Sequence, residues 1–174
     1  MKTRIALATV AVVALAAAGV ATAAAVTHQS SSTSGTVDLR STKLGKVLAT
    51  KSGLTLYLFK IDRNGRSACY GQCATYWPPL IAKGKPTAGT GVKAKLLGTT
   101  KRKNGTKQVT YAGHPLYRFK LDKRAGQVNG EGQDFFGGKW YGVNASGKAV
   151  THAPAGGGTT STPTTTTSPY PAGY

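Results

Sequence analysis

A segment written twice constrains this chain more than any other feature. Gly53-Leu-Thr-Leu-Tyr57-Leu-Phe59-Lys60-Ile-Asp62 recurs as Gly113-His-Pro-Leu-Tyr117-Arg-Phe119-Lys120-Leu-Asp122, matched at Gly, Leu, Tyr, Phe, Lys and Asp with a constant offset of 60 residues. Each copy leads to a tryptophan, Trp77 and Trp140. Such a match marks duplication of one structural unit. The fold must therefore hold two related halves.

Glycine turns punctuate residues 43–152, and no long apolar stripe appears at helical spacing. The spacing predicts seven short strands, over 46–50, 54–59, 95–103, 106–112, 115–121, 139–143 and 148–152. Asn104-Gly105 between the third and fourth is a strong hairpin signal. The pattern predicts an all-β domain, a compact antiparallel sandwich or partly open barrel built from two internal repeats, about 44–80 and 106–150. Strand alternation puts Tyr57 and Phe59 on one face and Tyr117 and Phe119 on the matching face of the second copy. That face is the expected core, with the two Tyr-x-Phe pairs meeting across a pseudo-twofold axis.

The flanks read differently. Lys2 and Arg4 precede an apolar run and the small residues Ala21-Thr-Ala23 and Ala23-Ala-Ala25, the order of a secretory signal peptide over 1–25. Cleavage there leaves no apolar segment of membrane-spanning length; retention would leave an anchor. Residues 26–42 read as a flexible Ser/Thr spacer, and 153–174 as a Thr/Pro/Gly-rich disordered tail suited to O-glycans.

Charge narrows the partners. The formal net charge is +18, and loss of Lys2 and Arg4 with the leader lowers it by two, to about +16. A secreted protein so basic is expected to meet anionic cell-wall polymers or lipid headgroups. Lys101-Arg102-Lys103 is the one dense cationic run and the candidate anion-binding site. Nothing in the pattern points to specific nucleic-acid recognition, and oligomeric state is not encoded in any motif.

Few residues suggest chemistry. Cys69 and Cys73 are the only cysteines, and export makes a disulfide between them the default. The competing reading is a small extracytoplasmic redox, metal or haem-handling protein that uses both cysteines, with His114 as a remote ligand. His28, His114 and His152 show no chelating spacing, so no metal or cofactor is expected. Asp62 and Asp122 each end a repeat. A pair of carboxylates can act as general acid and base, but Asp62-Arg-Asn-Gly65 also suits a turn in which the aspartate accepts a backbone N–H. No nucleophile elbow, phosphate-binding loop or metalloprotease motif is present. A non-enzymatic protein is expected.

Several motifs occur together. Tyr57-x-Phe59-x-x-Asp62 and Tyr117-x-Phe119-x-x-Asp122 fit Y-x-[FWY]-x-x-D, alongside Cys69-Tyr-Gly-Gln-Cys73-Ala-Thr-Tyr-Trp77-Pro78-Pro79 and Gln108-Val-Thr-Tyr111-Ala-Gly113-His-Pro115-Leu116-Tyr117. In these motifs the chain closely resembles the bacterial secreted-repeat or predicted-lipoprotein family over roughly residues 44–150. The resemblance implies secretion and no particular activity, since the family's function is unknown. This chain departs from the lipoprotein members in having no cysteine after its apolar leader.

Overall fold

A computed structural model describes residues 35–151. The expected leader, the spacer up to residue 34, His28, His152 and the tail lie outside them. Nine short strands form three three-stranded sheets. The first joins β1 (Thr36–Thr42), β2 (Gly45–Thr50) and β4 (Thr87–Ala88) in the order β2-β1-β4. The second joins β3 (Tyr57–Phe59), β8 (Asp134–Phe135) and β9 (Gly138–Gly142) as β3-β9-β8. The third joins β5 (Leu97–Lys101), β6 (Lys107–Tyr111) and β7 (His114–Pro115) as β5-β6-β7.

All pairings are antiparallel except β1 with β4. Further backbone hydrogen bonds tie strands to the segments between them, among them Leu48 N–H to Val143 C=O at 2.7 Å and Val109 N–H to Leu80 C=O at 2.8 Å. The described residues form an all-β architecture with no closed barrel.

Residues 36–42, expected to end the spacer, instead form β1. Val37 and Leu39 there alternate with polar positions and pack on the core, which outweighs the segment's Ser/Thr content. The expected strand over 115–121 shrinks to β7, and that over 148–152 to an isolated bridge from Ala149 to Val143. Past β7 the chain still pairs, but through single bridges, Tyr117 with both Tyr57 and Pro79, and not through a continuous ladder.

A one-turn helix, α1 (Gln72–Tyr76), also went unforeseen. Gly71, at φ 56°, starts it, and Pro78-Pro79 stops any continuation. The Cys69–Cys73 bond ties its start to the preceding loop, with Cα atoms 5.3 Å apart.

Both faces of each repeated Leu-Tyr-x-Phe segment are buried, where only the Tyr/Phe face was expected to be. Leu56, Leu58 and Leu116 point into an aliphatic core with Val37, Leu48 and Val109. Tyr57, Phe59, Tyr117 and Phe119 point the other way, into an aromatic core with Trp77, Trp140 and the disulfide. A strand covered on both sides loses the clean alternation of a half-exposed one.

Candidate functional site

The two copies meet at Tyr57 and Tyr117. Tyr57 N–H donates to Tyr117 C=O at 2.9 Å, and Tyr117 N–H donates back to Tyr57 C=O at 3.0 Å. This reciprocal pair marks the pseudo-twofold axis. Matched bonds flank it: Lys60 N–H to Lys139 C=O at 2.9 Å, and Lys120 N–H to Tyr76 C=O at 2.8 Å.

In each copy the Phe carbonyl accepts from the Asp N–H at 3.1 Å, Phe59 from Asp62 and Phe119 from Asp122. A tight turn therefore swings each carboxyl back toward the axis. Each aspartate closes this turn, whereas the sequence suggested that it opens the next one. The following two-residue turn is Asn64-Gly65, both at positive φ, 50° and 69°.

Once swung back, each carboxylate meets the other copy's phenol. Tyr57 O–H donates to Asp122 Oδ2 at 2.6 Å, and Tyr117 O–H to Asp62 Oδ2 at 2.8 Å. The second oxygens hold their own loops: Asp62 Oδ1 accepts Ala68 N–H at 2.8 Å, and Asp122 Oδ1 accepts Asn129 N–H at 3.0 Å. The aspartates thus act as loop-holders, as their turn setting suggested, but over longer spans and across the repeats.

Burial disfavours charge at all four groups. It pushes the Asp62 carboxyl up to about 6, partly offset by the Ala68 N–H, the Tyr117 hydroxyl and the Arg102 charge. Asp122 is raised by the same desolvation and eased downward by Tyr57 and Asn129. Tyr57 and Tyr117 are raised well above the ordinary phenol value, first by burial and then by the carboxylate each faces. Both phenols stay protonated and serve as donors.

The aromatic rings fill the space between these pairs. Phe59, Trp140, Trp77 and Phe119 form a continuous stack, with centroid spacings of 3.9, 3.9 and 4.3 Å. The two indoles lie within 5° of parallel. Tyr57 meets Trp77 edge-on at 5.4 Å, and Tyr117 meets Trp140 edge-on at 5.1 Å. Each such contact adds about 0.5–1.5 kcal/mol beyond burial itself.

Trp77 and Trp140 are 0% exposed, so these rings form core and do not line a groove. Trp140 Nε1–H donates to Phe135 C=O at 3.2 Å. Trp77 Nε1 is buried without a hydrogen-bond partner among the described residues.

The halves differ outside the axis. On the Asp62 side a buried polar network continues from Tyr117: its hydroxyl lies 2.8 Å from Ser67 Oγ, which accepts from Arg102 Nη1 at 2.8 Å. Arg102 also donates to Gln108 Oε1 and, through Nη2 at 2.7 Å, to Cys69 C=O. Its guanidinium stacks on Tyr70, 4.4 Å from the ring centroid.

Within the run expected to hold anions, Arg102 is therefore turned inward and only 5% exposed. Lys101 and Lys103 stay outside, with Lys103 Nζ 4.9 Å from the Tyr70 ring. Strand alternation explains the split, since a side chain between two outward neighbours faces in. The same alternation, read across from Gln108, is the signal that sequence reasoning missed.

Cys69 and Cys73 are joined, and their sulfurs pack against the aromatic core. Among the described residues no cluster of three metal-ligating side chains occurs. His114 is exposed, and burial of part of its ring followed by the nearby Lys60 charge lowers its pKa. An open depression beside the first loop is lined by Ile61, Arg63, Asn64, Arg66, Ser67 and Ala68, and by neither aspartate.

Also among the described residues, no helix is long and apolar enough to cross a membrane. No curated protein and no solved structure matches the chain. A family model, described as a secreted repeat of unknown function, matches residues 39–81 and 98–144. Those two stretches are the halves related by the Tyr57–Tyr117 axis, and the chain belongs to this family of secreted repeats.

Proposed function

We propose that the protein is a non-enzymatic module of the cell envelope that binds anionic envelope polymers through its outer surface. One observation carries this reading. Nineteen of the twenty-one described lysines and arginines are exposed, against one exposed acid, Asp134. The other four acids are used inside: Asp38 pairs with Arg40 at 3.2 Å, Asp62 and Asp122 hold the phenols, and Glu131 accepts Gly142 N–H at 2.7 Å.

A surface of nearly one sign attracts polyanions without needing a shaped pocket. The dispersal of its lysines suits a repeating phosphate or carboxylate polymer better than a compact ligand. Retention on isolated cell wall is expected to fall steeply between low and high salt, because screening shortens the reach of each charge. Binding indifferent to salt overturns the proposal.

A second reading makes Cys69 and Cys73 a redox couple. The bond supports it, and the burial of Cys69 weighs against it. Thiol titration in glutathione buffers separates the two, since a structural bridge stays closed there.

A further inference from the structure

We propose that the paired Tyr–Asp couples and the stacked indoles between them form a relay that accepts one oxidising equivalent and holds it as a neutral tyrosyl radical. Losing an electron makes a phenol strongly acidic, so a tyrosine is oxidised easily only where a base can take its proton. Tyr57 and Tyr117 each donate to a carboxylate, at 2.6 and 2.8 Å.

Between them, Trp77 and Trp140 lie face to face at 3.9 Å, and each touches one of the phenols edge-on. Indoles are the other side chains able to carry a hole, and stacking at van der Waals contact couples their π systems directly. Trp77 Nε1–H has no acceptor among the described residues. An indole radical cation there cannot shed its proton, so it passes the hole on. The resting place is a phenol whose proton has somewhere to go.

The two ends are unequal. Asp62 and Ser67 are half-buried, so the Tyr117 couple lies near solvent. Both phenols are 0% exposed, but on the Tyr57 side the carboxylate is buried as well: Asp122 is 4% exposed, and with the Gly130 N–H it closes over the Tyr57 hydroxyl. Oxidation enters at Tyr117 and comes to rest at Tyr57.

The step balances. A one-electron oxidant of the carbonate- or hydroxyl-radical class takes an electron and is reduced. The Tyr57 O–H proton moves to Asp122 Oδ2, leaving a phenoxyl beside a neutral carboxyl. A thiolate later returns the electron and becomes a thiyl radical, while the proton moves from Asp122 back to the Tyr57 oxygen.

Loop-holding uses only the second oxygen of each aspartate; a core built for packing alone could replace each phenol with phenylalanine and so avoid pairing it with a desolvated carboxylate. Both copies nevertheless keep the polar pair.

Flash photolysis with a ruthenium(III) polypyridyl oxidant tests the relay in the full chain, read by transient absorption and electron paramagnetic resonance. The expected result is a persistent neutral tyrosyl signal, lost in Y57F/Y117F although the chain's six other tyrosines remain. In D122N the radical is expected to decay about tenfold faster, as the proton loses its acceptor. Circular dichroism of the stacked indoles reports that each variant is folded. If D122N fails to fold, the Y57F/Y117F comparison decides alone. An undiminished long-lived radical in Y57F/Y117F, or a long-lived tryptophan radical in the native chain, overturns the proposal.

Discussion

At the scale of single residues, the aspartates set the terms. Removing the Tyr117 hydroxyl leaves Asp62 with one donor fewer in a half-buried site, so Y117F is expected to cost about 1–3 kcal/mol; urea unfolding measures it. Asp62 also links stability to pH. Its carboxyl, ordinarily near 3.8, is raised to about 6 by burial, so the folded state holds the proton more tightly than the unfolded chain does. Stability is then greatest below about pH 4 and falls as pH rises toward 6, by on the order of 1–2 kcal/mol. Asp122 adds in the same direction. The lowered His114 works oppositely, but it is exposed and screened. Melting temperatures across this window are expected to slope downward in the native chain and to slope less steeply in D62N, where Asp122 alone still contributes.

At the scale of elements, tight turns decide where side chains go. Gly130 lies so close to the core that a Cβ there would sit 2.8 Å from the Trp77 ring and 2.9 Å from Tyr57 Cζ. Gly130→Ala is expected to cost about 1–3 kcal/mol through forced ring shifts, visible as a lower urea midpoint. Opening the Cys69–Cys73 bond removes a five-residue loop constraint, about 2 kcal/mol by chain entropy. The fluorescence of Trp77, on the same turn, is expected to rise as the neighbouring disulfide is lost.

Much at this scale could be read from the chain. The duplicated motif, the Asn104-Gly105 hairpin and the bridged cysteines all follow from local chemistry. Strand β1, helix α1 and the inward turn of Arg102 were missed, because β1 is Ser/Thr-rich in composition, α1 is a single turn, and Arg102 sits in a run that reads as one cationic patch. Asp62 shows the difference most clearly. Its capture of a loop N–H is local logic, whereas its bond to Tyr117 exists only once the halves have met.

At the scale of the whole molecule, neither half is self-sufficient. Each contributes two rings to a four-ring stack, and each satisfies the other's buried polar groups. Chains spanning residues 35–104 or 105–151 alone are expected to remain unfolded, with no dispersion in amide proton spectra. Mixing them is expected to restore the indole circular dichroism only at high concentration, since tethering supplies an effective concentration that mixing does not. The exchanged phenol–carboxylate bonds also bear on origins. A forerunner carrying one copy of Y-x-[FWY]-x-x-D would have had a tyrosine and an acid with no counterpart inside its own chain. Such a chain would have to embrace a twin in order to fold, and carrying both copies on one chain makes permanent an encounter that dilution would undo.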